Sequence, residues 1–276
     1  MCPEAHAVES DALLTPFDPP AFHITNPDGK AAGIIVCDHA SNKVPGRLNG
    51  LGLTPACLNY HISYDIGAAG VAERLAPILD MPAIFSGYSR LVIDMNRPTD
   101  DFTSIREISD GRVVPGNRGL TDRDHRQRQE ELFKPYHDAV EGQMAGKRRR
   151  AEELGLEAPV VISVHSCTDE MRGVKRPWHI GVLYNRDERM AEATIAALEQ
   201  QNPDLTIGDN KPYSGMDAYG YTIERHALPA GLPNVLFEVR QDLIGTEEGQ
   251  AHYAAILGKA LTAVLTDKDV FTFHRT

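Results

Sequence analysis

Two histidines stand at the ends of short apolar runs: His39 follows IIVCD and His165 follows VVISV. Runs of this kind read as buried strands, and ligands of open α/β sheets collect at the carboxyl ends of strands. Two imidazoles in equivalent places can therefore converge on one crevice. A catalytic zinc usually takes three protein ligands from His, Asp and Glu and keeps one position for water, so a third ligand is needed. Asn42, Asp65 and Glu238 are the candidates. Asn42 is neutral and a weak zinc ligand. Asp65 is anionic and opens the helix-like segment DIGAAGVAERL, where its ordinary duty would be an N-cap. Glu238 lies inside NVLFEVR, an apolar setting where an acid is expensive to bury alone. It either pairs with an arginine such as Arg90 or Arg97 or faces the water of a metal site. We read it as facing the water.

Two further clusters carry charge. SRLVIDMNRP holds Arg90, Asp94, Asn96 and Arg97. Arginines at strand ends can clamp a carboxylate through two parallel hydrogen bonds, and the competing role is an internal ion pair with Asp94. YTIERHA holds Thr222, Arg225 and His226, which offer oxyanion stabilisation, further substrate contacts or simply a polar loop. Serine chemistry has little support, since Ser41 and Ser166 lack a G-x-S-x-G elbow. Cys37 and Cys167 flank the two histidines, so a cysteine hydrolase is an enzymatic rival. A binding protein that lost its metal is the non-enzymatic one.

The elements that must position these residues alternate. AGIIVCDHA, SRLVIDMNRP, PVVISVH, HIGVLYNR and NVLFEVRQDLI read as strands. Between them, SYDIGAAGVAERLAPIL, the stretch from Thr121, MAEATIAALEQQNP and a final segment near 249–265 have helical spacing. Thr121 can cap its helix and Pro135 can kink it. Alternation of this kind predicts an α/β sandwich with helices on both faces of the sheet. Residues 1 to about 30 are rich in Pro, Asp and Ala and read as a loosely attached extension, with one domain over 31–276. Residues 99–120 read as a long polar excursion over the sheet edge, a length that usually signals function. Lys147–Arg150 reads as a solvated helix end.

The 276 residues carry a formal net charge of −11. That argues against a nucleic-acid or anionic-membrane partner, which would need a basic surface, but a few local arginines still suffice for a small acidic substrate. No apolar run has the length of a membrane helix. The N-terminus lacks the basic and apolar regions of a signal peptide. The four cysteines form no CxxC pair, and we expect reduced thiols and a cytoplasmic protein.

Taken in order, DHASNKVP, YHISYDIGA, SRLVIDMNRP, SVHS, TIERH and LFEVR resemble the N-formylglutamate amidohydrolase family. The resemblance runs from about residue 34 to about 265. It implies a three-layer α/β/α fold around a mixed, mainly parallel sheet, of the zinc exopeptidase type. It implies one zinc ion, with His39 as first ligand and His165 as last. Asn42 stands where carboxypeptidase-like relatives place a Glu ligand, and the Asp of YDIGA, Asp65, is expected to replace it. By the same resemblance Asn96 and Arg97 hold a substrate carboxylate and Glu238 is the general base. The expected oxyanion partner is Arg90, with Arg225 and His226 as further substrate contacts. The implied reaction converts N-formyl-L-glutamate to formate and glutamate.

Overall fold

The structure, a computed structural model, describes residues 12–216 and 220–274. Seven strands build one sheet: β1 (Phe22–Thr25), β2 (Gly33–Cys37), β3 (Ala83–Ser86), β4 (Val160–Cys167), β5 (Ile180–Leu183), β6 (Ile207–Asp209) and β7 (Asn234–Arg240). Their spatial order is β1-β3-β2-β4-β7-β5-β6. The central strands β3, β2, β4 and β7 run parallel. At the margins β1 lies antiparallel to β3 and β5 antiparallel to β7, while β6 follows β5 in parallel. The sheet is mixed and mainly parallel, as expected.

Period-two alternation sends the apolar side chains to two separate cores. Ile35, Cys37, Ile162, Val164, Val235 and Phe237 join one core. Against that face pack α1 (Ala68–Leu79), α4 (Arg189–Gln201) and α6 (Glu247–Val264), as numbered here along the chain. Ile34, Val36, Ile84 and Val161 join the other. It is covered by α3 (Lys134–Glu153), which continues α2 (Asp122–Arg128) through a π-helical turn at Gln129–Phe133. A capping box between Thr121 and Asp124 starts α2. Helices thus lie on both faces of the sheet. Among the described residues, none of these helices is long and apolar enough to cross a membrane.

The cover on the second face stops short. Beyond Val161 the alternation turns Ser163 and His165 the same way, and on β7 it does so for Leu236 and Glu238. There the sheet opens into a cleft in place of a helix. A short helix, α5 (Thr222–His226), borders it.

Several expectations fail here. SRLVIDMNRP is no strand: it runs through turns, and β3 lies just before it. Leu91, Val92, Ile93 and Met95 are nevertheless fully buried. Their backbone is satisfied by side chains in place of a neighbouring strand: Asn117 Nδ2 donates to Leu91 O and Arg128 Nη1 to Val92 O, both at 2.8 Å. TIERH, for which a loop is one of the alternatives, is helical. The expected looseness of residues 1–30 does not extend to the described part of that segment, since Leu13 is buried and β1 forms the sheet edge. The Leu13 and Leu14 amides donate to Glu131 at 2.7 and 3.0 Å. Lys147 is not solvated either: it is buried and donates to the Gly29 carbonyl.

Candidate active site

Parallel pairing sets Glu238 on β7 beside His165 on β4, as register partners on the same face. On its other side Glu238 meets Gly181 of antiparallel β5. A Cβ at Gly181 would lie 2.0 Å from the Lys211 carbonyl and 3.3 Å from Glu238 Cβ, so only glycine leaves this backbone and the acid in place. His39 follows β2 by two residues, and its carbonyl accepts from the Asp65 amide at 3.0 Å. That bond fixes Asp65 ahead of α1.

Asp65 Oδ2 lies 2.7 Å from His165 Nδ1 and 3.2 Å from His39 Nδ1. One ligand atom from each of His39, Asp65 and His165 lies within 4.8 Å of the others, and all three residues are buried. The outer ring nitrogens face carboxylates. His39 Nε2 is 2.7 Å from Asp94 Oδ1. His165 Nε2 is 3.2 Å from Asp38 Oδ2, at ion-pair distance but out of hydrogen-bond alignment. Asp38 Oδ1 in turn accepts from Tyr136 and Thr222 hydroxyls, each at 2.7 Å. Arg90 spans the group, with Nη2 2.9 Å from Asp94 and Nη1 3.3 Å from Asp65.

This donor set suits a divalent metal. Two imidazoles and a carboxylate converge, and each imidazole faces a second carboxylate on its outer side, the usual surround of a zinc ligand. Asp38, Asp65, Asp94 and Glu238 bring four carboxyl groups to one buried place, and Arg90 is the guanidinium bonded among them. A cation relieves that excess. Without one the histidines carry the compensation: burial pushes His165 down, but Asp38 and Asp65 outweigh it and raise it to about 10. Burial likewise opposes ionisation of Asp38, yet its contact with His165 holds it at about 2. Burial raises Glu238 to about 7. As a residue Glu238 is half-buried against the cleft, but its Oε2 is enclosed with no hydrogen-bond partner among the described residues. That acidity suits a group exchanging protons near neutrality.

The cleft has a volume of about 550 Å³, and His39, Asp65, His165 and Glu238 line it together with Asn96 and Arg97. Asn96 Oδ1 accepts from the Tyr221 and Thr222 amides at 2.6 and 3.0 Å, tying α5 to the wall. Arg90, the expected oxyanion partner, also lines the cleft, and its bonds go to Asp65 and Asp94. Arg225 and His226 do not line the cleft. Arg225 binds the Tyr221 hydroxyl at 3.0 Å, and His226 Nε2 faces His137 Nδ1 at 2.9 Å. From the same helix Ile223 and Glu224 face the cleft instead. Asn42 bonds Asn59 at an exposed site. The rival nucleophiles lack a base: Ser166 Oγ donates to the Ile66 carbonyl, and burial pushes the Cys37 and Cys167 thiols up.

Sequence reading overlooked Asp38, His61 and Arg106. Asp38 had a signal, since it shares the alternation of Val36 and abuts His39. His61 and Arg106 line the cleft from outside any helix or strand, where no period shows direction.

The N-formylglutamate amidohydrolase family profile matches residues 31–245 of this chain. The chain belongs to that family. Its match contains His39, Asp65, His165 and Glu238. A solved structure, gene product Atu2144 from Agrobacterium tumefaciens, is 33% identical with a TM-score of 0.85, over 92% of this chain and 98% of that one. An N-formylglutamate amidohydrolase from Ralstonia eutropha JMP134 shares the fold at 19% identity and a TM-score of 0.67, over 89% and 97% of the two chains. No curated protein matches the chain in sequence. Membership of the N-formylglutamate amidohydrolase family makes the chain a hydrolase of amide bonds.

Proposed function

We propose that this chain hydrolyses N-formyl-L-glutamate to formate and L-glutamate, using one zinc ion held by His39, Asp65 and His165. The reading is carried by the enclosed Glu238 Oε2, which has no hydrogen-bond partner among the described residues, beside three converging ligand groups. Zinc in such a site acts as a Lewis acid, lowering the pKa of water toward about 7 and polarising the amide carbonyl. Glu238 takes a proton from the attacking water and delivers one to the nitrogen as the C–N bond breaks. Its raised pKa of about 7 keeps both directions accessible. Asp94 and Asp38 hold the outer nitrogens of His39 and His165, so that the two Nδ1 atoms stay aimed inward. Arg90 keeps Asp65 and Asp94 in place, and Arg97 with Asn96 receives the substrate's main-chain carboxylate at the cleft wall. The enzyme works in the cytoplasm, a reading supported by the free thiols of Cys37, Cys57 and Cys167.

The test joins metal analysis to turnover of N-formyl-L-glutamate. Glu238→Gln is expected to keep one zinc per chain while kcat falls about 10²- to 10⁴-fold. A wild-type protein that binds zinc but cleaves no N-acyl amino acid would sink the reading, as would a fully active Glu238→Gln.

A further inference from the structure

Arg106 stands in the cleft wall with Arg90 and Arg97. Its backbone is pinned from behind. Asn117, fully buried, donates to the Arg106 carbonyl and to Leu91 O, each at 2.8 Å. Arg128, also buried, donates to Asn117 Oδ1 at 2.7 Å. The head group itself is barely used: among the described residues its one hydrogen bond runs from Nε to the Thr103 carbonyl, at 3.2 Å. No carboxylate lies within ion-pair distance of it there. The nearest acids are already engaged, Asp94 with His39 and Arg90, and Asp101 with the Thr103 amide and hydroxyl. Burial lowers the Arg106 pKa, and the charges of Arg90 and Arg97 lower it too, against the opposing pull of Asp94 and Asp101. A half-buried guanidinium facing like charges is a standing electrostatic cost, and an anion entering the cleft removes it.

We propose that Arg106 receives the side-chain carboxylate of the substrate, making the enzyme selective for N-acyl derivatives of acidic amino acids over their neutral isosteres. The proposal rests on the hydrolase reading above, in which Arg97 and Asn96 take the main-chain carboxylate. Arg97 and Arg106 together then match a dianion, and the long loop over 98–120 exists to carry the second cation to the wall.

The experiment compares N-formyl-L-glutamate with N-formyl-L-glutamine, which differ in the charge and not the length of the side chain. Arg106→Gln is expected to lose about 10- to 100-fold in kcat/KM on the glutamate substrate and almost nothing on the glutamine one. Arg106→Lys, which keeps the charge without the fork, should retain part of the preference. Equal losses on both substrates overturn the proposal, as does a wild-type enzyme without preference. Binding of L-glutamate and L-glutamine to zinc-loaded protein, measured by calorimetry, separates this from the catalytic reading. If wild type cleaves neither substrate, the hydrolase assignment fails. Arg106 still stands if wild type binds glutamate more tightly and Arg106→Gln does not, and falls if both proteins bind the two amino acids alike.

Discussion

Asp94 Oδ1 stands 2.7 Å from Nε2 of His39, on the side of the ring away from Asp65. The same carboxylate takes two bonds from Arg90 and accepts the Asn96 amide at 2.9 Å. One residue therefore orients the His39 ring, holds the guanidinium that braces Asp65, and shapes the turn carrying Asn96. Replacing Asp94 by Asn should weaken zinc binding about 10- to 100-fold. Competition against a chelator of known affinity reads this directly. Unchanged affinity would mean that Asp94 is only a structural partner of Arg90.

Chelation and alkylation should act in opposite ways. Removing metal with a strong chelator is expected to abolish turnover, and added zinc to restore it. Iodoacetamide on the folded enzyme should leave activity intact, because burial keeps Cys37 and Cys167 protonated and enclosed. Loss of activity on alkylation, with chelator inert, would transfer the chemistry to sulfur.

Arg128 is the buried hub beneath the loop. Its Nη1 donates to Val92 O and Asn117 Oδ1, and Nη2 to Gly116 O at 3.3 Å. Burial lowers its pKa to about 10. Arg128→Met strands those acceptors and should cost on the order of 3 kcal/mol in urea unfolding. Since Asn117 then loses its anchor, selectivity between formylglutamate and formylglutamine should weaken as well. A variant as stable as wild type would show that the loop holds itself.

How far the sequence could be read follows from where the backbone bonds go. β2 and β4 are legible as continuous apolar runs because their ladders are completed by other strands. Glu238 is legible because an acid in such a run has no ordinary explanation. SRLVIDMNRP deceives for the opposite reason. Its side chains are as buried as a strand's, but its carbonyls are met by Asn117 and Arg128, residues 26 and 36 positions away. Arg106 is hidden by the same circumstance. Its direction is decided by Asn117, 11 positions downstream, and no local pattern encodes that contact.

Acid should weaken the fold through His137. Its Nε2 lies 3.0 Å from the Met95 carbonyl and its Nδ1 faces His226, in a fully buried setting that disfavours the charged form. Burial, with His226 and Arg225 adding to it, lowers its pKa to about 3. The unfolded chain takes up a proton near the ordinary value of about 6.5. Stability from this group is therefore present above about pH 6.5 and lost as pH falls toward 3, amounting to about 2 kcal/mol by pH 5. Melting temperatures between pH 7 and pH 5 should fall in wild type and fall less in His137→Gln. Equal slopes in the two proteins would place the acid sensitivity elsewhere.

The strand at Phe22–Thr25 lies outside the stretch that matches the family, yet it seals the open margin of Ala83–Ser86. A version trimmed to begin at residue 31 would uncover a row of unpaired amides and carbonyls on a strand whose four residues are all buried. Such a margin templates pairing with other chains. The practical boundary of this protein is thus set by solubility, well upstream of the first residue that touches its chemistry.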